Sequence, residues 1–164
     1  MTGYPLAEVI ATGAGPDTLP IAWDETAGLF SAERWYWIAT TGDHNRPHLR
    51  PVLAVYVDQR VYSTTNPSAR KARNLANRPV VAIAARAPTL DIVIEGKVTW
   101  MDEIERLQRV GDAYQEKYGW PVTVTADGSF DAPYGAPTAG NAPYRVYELT
   151  PICAYVSFPR SGGH

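Results

Sequence analysis

Between Val61 and Leu75 the 164-residue chain reads Val-Tyr-Ser-Thr-Thr-Asn-Pro-Ser-Ala-Arg-Lys-Ala-Arg-Asn-Leu. Hydroxyl side chains close an extended run, Asn66-Pro67 makes a turn, and a helix then opens on Ser68 with the adjacent cations Arg70 and Lys71. The first turn of a helix presents unpaired amides and a partial positive charge, which stabilise an anion seated against it. Arginine adds a planar two-point grip and lysine a mobile point charge. Thr64 and Thr65 are placed to supply hydroxyl donors, and Arg50, on a neighbouring strand, can reach the same spot from the side. The chemistry of such a set is phosphate binding. The competing reading is a surface helix capped by Ser68, with Arg70, Lys71 and Arg73 as its wet face.

The charge distribution leaves two readings open, a solvated basic surface or a place where an anion docks. The whole chain carries a net charge of -2, yet residues 43–86 hold Arg46, Arg50, Arg60, Arg70, Lys71, Arg73, Arg78 and Arg86 against only Asp43 and Asp58. Nucleic-acid binding through this basic middle fits poorly, because the net charge is negative and aromatic residues do not interleave with the cations. The single Cys153 has no partner for a disulfide or for metal-ligand spacing, and reads as a small buried apolar side chain. His44 reads as a turn residue and His48 as a strand residue. Neither is an evident proton donor. Trp35, Trp37, Trp100 and Tyr114 are expected in the core.

The elements that must position the phosphate corner are mostly strands. Asp24 to Glu33 reads as a short helix with Asp24 as N-cap. Trp35 to Thr41 is dense in aromatic and β-branched residues and stops at a Gly-Asp turn; His48 to Val57 and Val61 to Thr65 follow as an antiparallel hairpin. A helix over Ala69 to Arg78 ends at Pro79. Val80 to Ala85 is continuously apolar and short, which fits a strand buried on both faces, with a buried helix turn as the alternative that periodicity leaves open. Ile92, Ile94, Val98 and Trp100 share one face of the next strand, with Gly96 marking a bulge or a close backbone approach. A helix opened by Asp102-Glu103 in a relative of the capping box carries Ile104, Leu107, Val110, Tyr114 and Tyr118 on one face, and Gly119 ends it. Pro121 to Pro143 has no periodicity, and a stretch of that length is usually functional or disordered. Arg145 to Leu149 and Ala154 to Phe158 close the chain as two strand-like runs separated by Pro151.

These elements amount to six or seven strands with short helices and no βαβ alternation, which predicts a mainly β protein built as an antiparallel barrel. One domain, residues 1–164, is expected at this length, with residues 1–22 an extended N-terminal segment. No segment approaches the apolar length of a membrane span and the first residues do not read as a leader, so a cytoplasmic location is expected.

From Trp35 to about Pro88 the order of motifs resembles the pyridoxamine 5'-phosphate oxidase-like split-barrel flavoproteins. The resemblance is carried by Arg46-Pro47-His48-Leu49-Arg50-Pro51-Val52, by Val61-Tyr62-Ser63-Thr64-Thr65, by Ser68-Ala69-Arg70-Lys71-Ala72-Arg73-Asn74-Leu75 and by Asn77-Arg78-Pro79-Val80-Val81. It continues through Glu95-Gly96 and Tyr144 to Pro151. The actinobacterial branch, which often uses the deazaflavin coenzyme F-420, is similar in the Ser68 to Leu75 motif, in Lys117-Tyr118-Gly119-Trp120 and in Pro133 to Gly140.

The resemblance implies a Greek-key split β-barrel, a homodimer with the cofactor at the subunit interface, and an oxidoreductase passing a hydride between coenzyme F-420 or FMN and a small organic substrate. It implies a cofactor-binding set of Arg50, Pro51, Val52, Ser63, Thr64, Thr65, Ser68, Arg70, Lys71 and Asn74, with the phosphate on Arg50 and the Arg70-Lys71 pair. The Pro121 to Pro143 loop is expected to form part of the substrate wall, and one of Trp120, Tyr134 and Tyr144, which border it, to cover the ring. Both cofactors carry a phosphate on a ribityl chain, so this pocket does not separate them. True pyridoxamine phosphate oxidases have a lysine where Val55 stands and an Arg-x-His motif near the C-terminus that this chain lacks, which sets vitamin B6 oxidation apart from the fold. A module that holds flavin, haem or another anionic tetrapyrrole without turnover is the other reading. No metal site is expected.

Overall fold

The computed structural model describes residues 21–88, 90–136 and 140–157; the expected N-terminal segment up to residue 20 lies outside them. The elements run α1 (Trp23–Ala32), β1 (Tyr36–Thr41), β2 (Pro47–Val52), β3 (Ala54–Val57), β4 (Arg60–Thr65), α2 (Arg70–Asn77), β5 (Val80–Arg86), β6 (Asp91–Met101), α3 (Ile104–Tyr118), β7 (Thr123–Val124), β8 (Phe130–Asp131) and β9 (Arg145–Ser157). Seven strands form one antiparallel sheet in the order β2-β1-β5-β6-β9-β4-β3, and β7 and β8 form a small separate ladder.

The two outermost strands of that order, β2 and β3, are separated in sequence only by Leu53. A single bent segment therefore joins the two edges of the sheet, which curls it into a split barrel and removes most of its open edge. The carbonyl of Leu53 falls outside the strand ladder at the bend. It accepts from the Ser63 hydroxyl at 2.9 Å and from the Tyr114 hydroxyl at 3.2 Å. Ser63, expected at the cofactor, is thus buried and spends its hydroxyl on holding the split in place.

Alternation along the strands divides the interior into two cores. Tyr36, Ile38, Val52, Ile83, Ile92, Ile94, Tyr147 and Leu149 fill the barrel, where α1 adds Trp23 and Phe30. Val55, Tyr62, Tyr144 and Val146 point to the other side of β3, β4 and β9, where Leu107, Val110 and Tyr114 of α3 cover them. Trp120 and Phe130, from the stretch after α3, are buried in this second core as well. The expected long loop is instead a short β7–β8 ladder bridged from Phe130 to Tyr144, pulled into order by its aromatic residues.

Several local expectations are corrected. Trp23 opens α1, with Ala22 as cap residue and no side-chain cap bond; Asp24 and Glu25 sit in its first turn, where they suit the helix dipole. The cap of α3 makes no side-chain bond either, because the Glu103 carboxylate pairs with Arg106 at 3.5 Å. Strand β5 is buried on one face only, so its apolar run is continuous for a different reason, the apolar outer face described below. Trp35 and Trp37 are exposed, while Trp100 is half-buried and Tyr114 fully buried. Cys153 is only half-buried. β9 is one strand running through Pro151, which lies opposite Gly96 where the β6–β9 register slips.

That slip agrees with the bulge expected at Gly96, where an added Cβ would lie 2.4 Å from the carbonyl oxygen of Thr150. Gly96→Ala should therefore lower stability by about 1–3 kcal/mol, the usual range for overpacking, as read from the midpoint of urea unfolding.

Candidate functional site

The first turn of α2 lies over the ends of β1 and β4. Asn66 rather than Ser68 organises the turn before it: the Asn66 side-chain oxygen accepts from the Ser68 amide at 2.9 Å and from the Ser68 hydroxyl at 2.6 Å. Ser68 is consequently exposed and does not cap α2, whose cap residue is Ala69 with no side-chain cap bond. Asn74, one turn in, donates to the Thr40 hydroxyl at 2.9 Å and ties the helix to β1.

This tether sends Lys71 inward. Its side chain is buried, with only 6% of the residue accessible, and its Nζ donates to the Thr64 carbonyl at 3.1 Å and sits 5.7 Å from the Tyr147 ring. Among the described residues no carboxylate pairs with it. Burial, with the Arg50 charge added to it, pushes the Lys71 ammonium down to about 8 from its ordinary 10.5. Arg50 stands on the core-facing side of β2, with Ile38 as register partner, yet it is exposed because the core ends at this edge of the barrel. Burial first, then the charges of Arg70, Arg50 and Lys71, hold the His48 imidazole below its usual range. Thr40, which accepts from Asn74 at 2.9 Å and lies 3.4 Å from His48 Nδ1, sets the start of α2 beside β2, so that His48, Arg50, Arg70 and Lys71 surround one corner. The side chains of Arg50 and Arg70 make no ion pair among the described residues.

Lys117 shows what a structurally satisfied lysine looks like in the same chain. It too is pushed down to about 8 by burial and then by Arg34. Its Nζ, however, donates to Tyr36 Oη at 2.7 Å, to the Ser31 carbonyl at 2.8 Å and to the Ala54 carbonyl at 3.1 Å, and lies over the rings of Tyr36 and Tyr118. All three of its protons have acceptors. Lys71 has one.

Of the remaining expected residues, Thr64 has Val146 as register partner, on the face that α3 covers, so it gives the corner its main-chain carbonyl rather than its hydroxyl. The Thr65 hydroxyl donates to the Asn66 carbonyl at 3.3 Å. Pro51 lies opposite Trp37 on the outer face of the sheet, away from Arg50, and Val52 is in the barrel core. Trp120 and Tyr144 are buried against α3 and cannot cover a ring; Tyr134 is exposed, with its hydroxyl on the Gly119 carbonyl. Thr40 and Gly42 belong to the corner but were not anticipated. The signal was available in Thr40-Thr41-Gly42, a strand end of paired threonines before a turn, the same device as Thr64-Thr65.

Lys71 thus stands buried with two unused donors at the mouth of a split barrel, beside Arg50 and Arg70, neither of which pairs with a carboxylate among the described residues. The chain belongs to the pyridoxamine 5'-phosphate oxidase family, whose model matches residues 22–152. No curated protein matches it in sequence. Solved structures share the fold at low identity. A conserved hypothetical protein from Mycobacterium tuberculosis is 20% identical with a TM-score of 0.65, over 85% of this chain and 86% of that one. An F-420 reductase is 15% identical with a TM-score of 0.59, over 84% of this chain and 98% of that one. An FAD-binding protein from Mesorhizobium loti is 15% identical with a TM-score of 0.57, over 83% of this chain and 94% of that one. Val55, at the position where true pyridoxamine phosphate oxidases carry lysine, is packed in the second core. Among the described residues no group of His, Cys, Asp and Glu is arranged to hold a metal ion, and no helix is long and apolar enough to cross a membrane.

The two lysines should respond oppositely to removal. Because Lys71 titrates lower in the fold than its ordinary 10.5, its burial opposes folding below about pH 8, and that penalty fades as pH rises from about 8 to 10.5. Lys71→Met should therefore stabilise the ligand-free protein by about 1–3 kcal/mol at neutral pH, the gain disappearing above that window, whereas Lys117→Met should destabilise it by a similar amount, because the Ser31 carbonyl and the Tyr36 hydroxyl lose this donor while the Ala54 carbonyl keeps only Tyr118. Urea unfolding of both variants at neutral and alkaline pH checks this.

Proposed function

We propose that this chain binds a flavin-type cofactor, coenzyme F-420 or FMN, by its phosphate, and works as a homodimeric oxidoreductase on a small organic substrate. The observation that carries the reading is Lys71, an ammonium buried without a counter-charge among the described residues and flanked by Arg50 and Arg70. A dianion entering the corner would meet two unused Lys71 donors and two guanidinium forks. When bound, such a cofactor supplies the hydride chemistry, and the protein has to hold, orient and desolvate it. In this reading Arg50 and Arg70 grip the phosphate from β2 and α2, Lys71 neutralises it from below, and Asn74 and Thr40 hold α2 at the right height. Membership of the family and the likeness to an F-420 reductase and an FAD-binding protein support the cofactor class.

The outer face of the sheet supports the dimer. Tyr155, Val93, Ala84, Trp37 and Pro51 lie side by side across β9, β6, β5, β1 and β2 in direct register. Cys153, Glu95, Ala82, Ala39 and Leu49 form the next row, and Trp37 and Leu49 are 50% and 58% exposed. An apolar row five strands wide spans about 19 Å, more than a monomer ordinarily leaves open to water. A second copy offers the same flat face, so an isologous contact covers both. Leu49 and Pro51 flank Arg50 on β2, so this face and the phosphate corner share the same edge strand, on opposite sides of it.

Titration with each cofactor, read by flavin or deazaflavin fluorescence, tests the cofactor half. Arg70→Ala with Lys71→Ala should weaken binding by a few kcal/mol while the barrel stays folded; unchanged affinity would move the phosphate elsewhere. Because the ligand-free Lys71 titrates at about 8, binding should take up a proton above that pH and weaken by up to about tenfold per pH unit. Sedimentation tests the dimer half: Trp37→Glu with Leu49→Glu should give a folded monomer, and a wild type that is monomeric at micromolar concentration sinks that part of the proposal.

A further inference from the structure

A second basic concavity adjoins the corner. The β1–β2 turn and α2 enclose a cleft of about 480 Å³ lined by Arg46, Arg70, Arg73, Asn77, Arg78 and Asp43 among others. We infer that this cleft holds a second anionic group of the same ligand, so that the preferred cofactor is one whose phosphate carries a charged extension rather than one that ends there. The inference rests on the phosphate reading above.

The charge in the cleft is unbalanced. Asp43 is its only carboxylate, and it reaches Arg78 alone, at 3.9 Å and in the open. Arg46, Arg70 and Arg73 have no carboxylate partner among the described residues; Arg73 is held by its bond to the Ser68 carbonyl at 2.6 Å. Four guanidinium groups converging on one cavity repel one another unless an anion joins them.

The lining also selects the kind of anion. Among the described residues only Asp, His, Arg and Asn side chains line the cleft, and none of them is an apolar side chain that would receive a flavin-like ring. Its volume falls in the range of organic ligand sites, about 300–1,000 Å³, and exceeds the needs of a lone inorganic ion. A hydrophilic chain bearing phosphate or carboxylate groups suits it.

Arg70 makes the two sites continuous, since it lines the cleft and also acts on His48 in the phosphate corner. At the junction stands Gly42, where a Cβ would come within 3.3 Å of Arg70 Nη2 and 3.4 Å of Asn74 Oδ1. Glycine there leaves Arg70 free to serve both sides. FMN ends at its phosphate, whereas FAD continues into a diphosphate and coenzyme F-420 into a carboxylate-bearing tail. Either extension matches the chemistry of the cleft.

Dissociation constants for FMN, FAD and coenzyme F-420, measured by fluorescence on the wild type, on Arg46→Ala/Arg78→Ala and on Lys71→Met, test the inference. The wild type should prefer FAD or coenzyme F-420 to FMN. Arg46→Ala/Arg78→Ala should weaken the preferred ligand by about tenfold or more and leave FMN within about twofold, while Lys71→Met weakens all three. Equal losses for FMN and the extended ligand, no loss at all, or a wild type that prefers FMN overturns it. If the wild type binds none of the three, the phosphate reading itself falls. Calorimetric titration of inorganic pyrophosphate separates the two sources of the anion. Pyrophosphate should bind FMN-saturated wild type, fail to bind FMN-saturated Arg46→Ala/Arg78→Ala, and be excluded once the extended cofactor is bound. Pyrophosphate that still binds beside the extended cofactor would assign the cleft to a separate anion and overturn the shared-ligand inference.

Discussion

An ammonium group sealed inside a protein with one carbonyl to donate to is a standing electrostatic penalty, and in this chain Lys71 carries it at the mouth of the barrel. Much of the nearby architecture keeps it there. Asn74 binds Thr40 and pins α2 across the ends of β1 and β4; Asn66 gathers the turn that aims the helix; Arg50 rises from an edge where the core has run out. Each of these arrangements adds positive charge or withholds negative charge. Lys117, equally displaced from its ordinary titration, is enclosed by three acceptors and two aromatic faces. The same residue type therefore stands in two states, one a saturated strut between α1 and α3 and the other buried with two donors unused.

The barrel can tolerate such a penalty because its stability is lodged elsewhere. One core fills the barrel and a second lies between α3 and the sheet, the latter rich in tyrosines whose ring contacts run from Tyr114 to Tyr118, Trp120 and Phe130. The sheet edges are joined through the Leu53 bend, fastened by hydroxyls from Ser63 and Tyr114. Burial on both sides of β4 and β9 leaves the corner on a rigid base, which is where a preorganised anion site belongs. Among the described residues no helix covers the outer face of β1, β2, β5 and β6, where Trp37, Leu49, Pro51, Ala84 and Val93 form an apolar patch beside Glu95 and Lys97.

Much of this was legible in the residues. Period-two alternation in Ile92 to Trp100, the Gly96 bulge, the Gly119 helix stop and the run of strands with short connections were local signals, and the antiparallel barrel followed from them. The Arg70-Lys71 helix start after a threonine strand end pointed to the corner because the clustering of cations at a helix start is written in residue type and spacing. Roles that depend on direction were not legible. Nothing in Ser63-Thr64-Thr65 says that the first hydroxyl braces a bend, that the second residue contributes a carbonyl, or that Asn66 outcompetes Ser68 for the turn. The exposed Trp37 and the buried Trp120 and Tyr144 were misplaced for a related reason: an aromatic residue is equally at home in a core, on a ring or in a contact face, and only its neighbours across the sheet decide.

By itself, then, the sequence determined the kind of chain this is: strand-rich, antiparallel, with a cationic helix start following a hydroxyl-bearing strand end, since those properties reside in near neighbours. Whether the cations meet was left to tertiary structure. Arg50 and Lys71 are 21 residues apart in the numbering, and it is the pairing of β1 with β2 and the Asn74 tether on Thr40 that put their charges in one place. The absence of a compensating carboxylate among the described residues is likewise a property of packing, because Asp and Glu are plentiful in the chain and only the fold keeps them from that corner.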